Sequence, residues 1–232
     1  MGHHGEMSID AVSGKWFPRV ISQWEGFAMD KRSFLKEAGA ASIASGVLLA
    51  SRSSQAQAPD GQVKVLIAYH SVTGNTEKMA QSVREGAETI GGTVVVLKRT
   101  SEVTTDDLLS SDAVAVGSPV YFGNVSGEVK NFFDDWLLKF GVFREFKMRN
   151  KVGGAFVTGA AMSNGKETTM QAIHTAMLIN QMSVVSGGGA FGASATTGPD
   201  SPGVDEKAKE SARVLGKRVA EFAAVTKRGS KT

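Results

Sequence analysis

The sequence predicts an α/β fold: a parallel five-stranded sheet with helices on both faces. Two observations carry that prediction. Five apolar runs alternate with segments of helical period, and the runs are almost continuously apolar instead of alternating with polar residues. Strands of that kind are buried on both faces, as in parallel sheets covered by crossover helices.

The elements follow in order from residue 63. Val63 to His70 is the first strand, and Thr76 to Ile90 a helix with Met79, Ala80, Val83, Ala87 and Ile90 on one face, ended by Gly91-Gly92. Thr93 to Leu97 is the second strand. A short helix over 106–110 leads to a third strand over 112–117. The next helix, 126–140, turns Val129, Phe132, Phe133, Trp136 and Phe140 inward. Residues 151–158 form the fourth strand, 167–180 a helix, and Met182 to Ser186 a weak fifth strand. The last helix, 205–225, repeats Ala208, Ala212, Leu215, Val219 and Phe222 at helical spacing.

Composition narrows the functional classes. Hydrophobic residues make up 41% of the 232 and charged residues 21%, enough apolar mass for a full core. With no cysteine, disulfides, thiolate metal sites and cysteine nucleophiles are excluded. The net charge of +3 is spread among nearly as many acids as bases, which predicts a solvated surface and no nucleic-acid partner. His3 and His4 are an incidental pair, not a metal site, and His70 and His174 read as packed histidines.

In open parallel sheets, ligands bind beyond the carboxyl ends of the strands. After the first strand stands Ser71-Val72-Thr73-Gly74-Asn75-Thr76, running straight into a helix. Three hydroxyls, an amide and the free N–H groups of a helix start can gather around a phosphate without lysine or arginine. Neither a Gly-Lys-Ser/Thr pattern nor a three-glycine fingerprint is present, which favours one phosphate and hence a mononucleotide. After the third strand, Pro119-Val120-Tyr121-Phe122-Gly123-Asn124 offers aromatic faces and backbone polar groups to a flat ring system. After the fourth, Thr158-Gly159-Ala160 opens a polar loop that runs to Glu167.

The first hexapeptide resembles the FMN-phosphate loop of the flavodoxin superfamily. The stretch from Ser118 to Asp134 resembles the isoalloxazine loop of WrbA-type NAD(P)H:quinone oxidoreductases within it, and Thr158 to Glu167 resembles their third flavin loop, with backbone groups reaching the pyrimidine edge. Gly198-Pro199-Asp200-Ser201-Pro202 is similar to that family as well. The resemblance covers nearly all of 63–225. It implies strand order 2-1-3-4-5, bound FMN, and NAD(P)H as co-substrate. It further implies a small-molecule electron acceptor or a redox protein partner and an assembly as small as a homodimer; the short, modestly apolar middle of 29–58 predicts no stable membrane insertion. There are two departures. Where those enzymes carry a histidine pair at the end of the fourth helix, this chain has Ile179 and Asn180; where they carry a longer insertion after the fifth strand, it has only Ser186 to Gly192. FMN binding carries over in spite of both, whereas the acceptor pocket and tetramer contacts that those features supply do not.

The resemblance thus implies an oxidoreductase whose flavin does the redox chemistry, with no nucleophile–base–acid set needed. The alternative is a flavodoxin-type electron carrier. Such carriers are strongly acidic, whereas the domain from Pro59 onward has 20 basic and 18 acidic residues.

Upstream of that domain, 59–232, the sequence divides at Met29. Residues 1–28 are expected to be a disordered extension and 29–58 an export signal and linker. Lys31-Arg32-Ser33-Phe34-Leu35-Lys36 resembles a twin-arginine signal with lysine for the first arginine, and Ala56-Gln57-Ala58 supplies the A-x-A end. The expected location is periplasmic, with the cytoplasm as the alternative.

Overall fold

The computed structural model describes residues 61–229. The expectations for 1–28 and 29–58 lie outside the described residues. The order is β1 (Val63–Tyr69), α1 (Asn75–Glu88), β2 (Thr93–Arg99), a 3-10 turn (Thr100–Glu102), α2 (Thr105–Ser110), β3 (Ala113–Tyr121), β4 (Asn124–Val125), α3 (Gly127–Leu138), β5 (Val152–Gly159), α4 (Lys166–Ile179), β6 (Ser183–Val184), β7 (Ala193–Thr196) and α5 (Glu206–Gly229). Among the described residues no helix is long and apolar enough to cross a membrane.

The sheet runs β2-β1-β3-β5-β6, all parallel, which places the five predicted strands in the expected order. Two features correct the five-strand picture. The fifth position is split: β6 pairs with the start of β5 (Val152 with Ser183) and β7 with its end (Phe156 with Ala193, through Gly159 with Thr196). Glycines at 187–189 and 192 interrupt the strand between them, because glycine has no side chain to hold a pleat. The third strand is also longer than predicted. It continues through Tyr121 and returns as β4, pairing Val120 with Val125 and Tyr121 with Asn124.

Each central strand feeds two apolar layers. In β1, Val63, Val65, Ile67 and Tyr69 face α1 and α5, where Met79, Val83, Leu215 and Val219 meet them. Leu66 and Ala68 face the opposite layer with Leu108, Phe132, Trp136, Ile173 and Met177. This is the period-2 geometry of a strand expressed in a run whose one charged residue, Lys64, stands near its start. Each fully buried large side chain contributes about 1.5–3 kcal/mol. Helices α1 and α5 touch through glycines: a Cβ on Gly86 would lie 1.9 Å from the Arg213 carbonyl oxygen, and one on Gly216 would lie 1.8 Å from that of Val83.

Candidate functional site

The carboxyl ends of β1, β3, β5 and β7 lie side by side, since Tyr69 pairs with Gly117, Pro119 with Thr158 and Gly159 with Thr196. The three predicted loops therefore emerge along one edge and meet there. Thr76 Oγ1 and Thr158 Oγ1 share a buried hydrogen bond of 2.8 Å, tying the start of α1 to the end of β5. A Cβ on Gly165 would lie 2.6 Å from the Gly123 Cα, so the second and third loops are also in contact.

In the first loop, Ser71 and Thr76 are buried while Val72 and Thr73 are exposed. Gly74 adopts φ 81° as the N-cap of α1 and supplies no side-chain cap, which leaves first-turn N–H groups to another acceptor. Glycine is the residue suited to that left-handed turn. Ser71 Oγ accepts from the Glu77 N–H at 3.3 Å, and the Asn75 amide donates to Thr73 Oγ1 at 3.1 Å. From the next strand, the Arg99 guanidinium donates to the Ser71 carbonyl at 2.8 Å and to the Glu77 carboxylate at 3.0 Å. The same guanidinium stacks 5.5 Å from the Tyr69 ring centroid. Burial, then the charge of Glu77, holds the Tyr69 hydroxyl above the usual tyrosine range.

The second loop is a hairpin. Phe122 and Gly123 form its two-residue turn, both with positive φ (50° and 76°), the pattern of a type I′ turn. Phe122 is 110% exposed and Tyr121 43%. Pro119 and Val120 are half-buried in β3, and Asn124 Oδ1 accepts from the Val125 N–H at 2.8 Å. Ser118 Oγ receives the Ser126 N–H at 3.0 Å, which closes the base of the hairpin.

In the third loop the polar groups of Thr158, Gly159 and Ala160 turn inward. Thr158 holds Thr76, the Gly159 carbonyl receives the Thr197 N–H at 2.8 Å, and the Asn164 amide accepts from the Ala160 N–H at 3.0 Å while donating to the Ala161 carbonyl at 3.1 Å. Thr158 and Gly159 form the buried floor of the edge, and Ala160 to Ser163 are exposed at its rim. Lys166, 5% exposed, reaches beneath them, donating to the Ala161 carbonyl and to Thr196 Oγ1, both at 2.8 Å.

Arg99 and Lys166 are the polar residues that the sequence reading missed. Arg99 ends the strand next to β1 in the 2-1-3 order, so adjacency alone could have pointed to it. Lys166 carries a different signal, a cation in the first turn of a helix, where the macrodipole disfavours it.

Four further candidates remain: His70, His174, Ile179 and Asn180. His70 Nε2 is 3.4 Å from Glu128 Oε2 without hydrogen-bond geometry. His174 Nε2 is buried and unpaired, and burial lowers its pKa. Ile179 is exposed at the end of α4 and Asn180 caps it. Both line a groove between α3 and α4, about 650 Å³ in volume, with Phe133, Leu137 and Phe143. Among the described residues no three His, Asp or Glu side chains could hold a metal ion.

A helix start whose left-handed N-cap glycine offers no side-chain acceptor, with two exposed aromatic rings on the neighbouring loop, suits a ligand with one phosphate and a flat ring. Residues 62–197 match the family described as NADPH-dependent FMN reductase. The chain belongs to that family. Its similarity to other members is broad. It is 32% identical over 198 residues to "NAD(P)H dehydrogenase (quinone)" of Chromohalobacter salexigens, covering 69% of this chain and 97% of the relative. It is 39% identical over 177 residues to "Flavodoxin" of Aquifex aeolicus, covering 72% and 91%. The solved structure of a "flavodoxin, WrbA-like protein" from Agrobacterium tumefaciens superposes with a TM-score of 0.60 at 26% identity, covering 71% of this FMN reductase family chain and 99% of the other.

Proposed function

We propose that this member of the FMN reductase family is an FMN-dependent NAD(P)H oxidoreductase that reduces a quinone or similar small acceptor. The observation that carries the reading is the 2.8 Å hydroxyl pair between Thr76 and Thr158, which joins the phosphate loop to the loop that would reach the pyrimidine edge of the ring. In this reading the N–H groups from Val72 to Thr76, with the Thr73 hydroxyl, hold the phosphate. Tyr121, Phe122 and Gly123 flank the ring, with Pro119, Val120 and Asn124 fixing the hairpin. Thr158 and Gly159 form the floor, with Ala160 at its rim. When bound, FMN would supply the redox chemistry, a two-electron transfer from NAD(P)H to the acceptor, while the residues named above would hold and orient it.

The test is direct. The purified full chain should be yellow, bind FMN in a 1:1 ratio, and oxidise NAD(P)H when benzoquinone is added. A colourless chain that takes up no added FMN overturns the reading. The flavodoxin relative supports a second one, an electron carrier serving a redox protein partner. A carrier would bind FMN but leave NAD(P)H untouched under the same assay.

Two further parts of the proposal have their own checks. A homodimer would close over the α3–α4 groove, where Leu137, Leu138 and Ile179 are exposed. Light scattering on the wild type and on Leu138→Lys would reveal it. Export rests on the Lys31-Arg32 motif and the Ala56-Gln57-Ala58 end. Cell fractionation with sequencing of the mature N-terminus separates a periplasmic from a cytoplasmic protein.

A further inference from the structure

The least expected group at the loop edge is the ammonium of Lys166. It opens α4 directly after Gly165, is 95% removed from solvent by its 5% exposure, and sits where the helix macrodipole is positive. Burial of a charge is costly unless it is paired and hydrogen-bonded. Lys166 donates to one carbonyl, Ala161, and one hydroxyl, Thr196, and both are neutral. Among the described residues no carboxylate lies within ion-pair distance of it; the adjacent Glu167 is exposed. Burial accordingly lowers its pKa, against the weaker pull of Glu167. The positive charge itself therefore lacks a partner within the protein.

We propose that Lys166 is an electrostatic positioning residue: its buried charge, under the 160–165 loop, makes the site favour the more negative, reduced form of FMN over the oxidised form. The inference rests on the assignment of that loop to the flavin ring under the proposed function. Reduced flavin is the stronger acid and carries the extra negative charge on the pyrimidine half of its ring. A fixed cation facing that half binds the reduced cofactor more tightly and raises its midpoint potential by the same free energy, because binding and reduction are linked in one cycle. The direction suits an acceptor of electron pairs from a nicotinamide more than a low-potential carrier. Lys166 touches no reacting atom in this account. It acts through its field and through the Ala161 carbonyl that it holds.

The experiment compares K166R, K166Q and K166M in the full chain. Lys166→Gln removes the charge and keeps an amide donor on a side chain one bond shorter, Lys166→Met removes charge and donor at similar length, and Lys166→Arg keeps the charge. Dissociation constants for oxidised and reduced FMN are measured under anaerobic titration, together with the midpoint potential by dye equilibration. The expected result is a rise of about tenfold or more in the reduced-to-oxidised ratio of dissociation constants for K166Q and K166M, with K166R close to wild type. An unchanged ratio in a folded K166Q that binds oxidised FMN overturns the inference, as does equal weakening of both forms, which is the mark of a purely structural lysine. Wild-type chain that takes up no FMN overturns the function proposal along with it, so the two failures are distinct.

Discussion

Thr76 and Thr158 are separated by 82 positions in the chain, yet their hydroxyls lie 2.8 Å apart in the buried floor of the loop edge. The bond joins the first turn of α1 to the last turn of backbone in β5. Replacing either residue by valine keeps the shape and strands the other hydroxyl without a partner. Each single variant should lose about 1–3 kcal/mol, and the double variant should cost less than the sum of the two. Chemical denaturation measures the cycle. FMN affinity should weaken several-fold in both singles, an energy on the order of 1 kcal/mol, because the phosphate loop loses its tie to the third loop.

A second buried anchor holds the exit of β2. One carboxylate oxygen of Asp107 accepts from Lys98 Nζ at 2.7 Å and from the Thr104 N–H and hydroxyl at 2.8 Å each. Burial alone would raise the Asp107 pKa, but the hydrogen bonds from Lys98 and Thr104 outweigh it and leave the pKa below the usual aspartate value. The stabilisation from that shift is complete above the unfolded value of 3.8 and fades as pH falls through the lower folded value. Asp107→Asn should cost about 3 kcal/mol at neutral pH, since it leaves the Lys98 cation without its carboxylate. Urea midpoints followed from pH 7 downward should converge for the two proteins only under strong acid.

Much of this was legible in the residues. The two helix-facing layers follow from nearly continuous apolar runs such as Val63 to Tyr69, and the phosphate loop from the Ser/Thr/Gly/Asn cluster before a helix. The β3–β4 hairpin was not, because Phe122 occupies a φ of 50° that a phenylalanine does not advertise. Nor was the splitting of the fifth strand: Ala193 to Thr196 is too short and too polar to stand out, and it is a strand only because β5 offers it a free edge. Lys166 and Arg99 escaped for a related reason. Their roles depend on partners 30 and 28 positions away, Thr196 and Ser71, and no local pattern encodes such pairs.

At the opposite end of the sheet, Lys151 gives a prediction in alkali. Its ammonium donates to the carbonyls of Leu108, Leu109 and Ser111, closing the C-terminal end of α2. Burial lowers its pKa from 10.5 to about 8, only partly offset by Asp112. Over that window the folded chain releases the proton and the unfolded chain keeps it, so the unfolded state binds more protons and stability rises with pH. The penalty of the buried charge is fully present below the window and relieved across it. The wild type should therefore gain on the order of 1–3 kcal/mol relative to Lys151→Met between the lower and upper ends. A stability difference that stays flat with pH in denaturation series would contradict this.

Phe122 sets stability against binding. A bulky residue in the left-handed region costs about 1–2 kcal/mol, and asparagine or glycine relieves that strain. The ring gains nothing in return from the fold, for it is fully exposed at the tip of the hairpin. Strain of this kind persists where function requires the side chain. Phe122→Asn and Phe122→Gly should accordingly raise the melting temperature of the FMN-free chain, by roughly 2–4 °C per kcal/mol in a domain of this size. They should also weaken FMN binding, and Phe122→Tyr should do neither. Calorimetry on FMN-free protein and fluorescence titration with FMN give the two readouts separately. A variant that is more stable and binds FMN as tightly as wild type would remove the aromatic face of Phe122 from the flavin site and leave Tyr121 as the ring that flanks it.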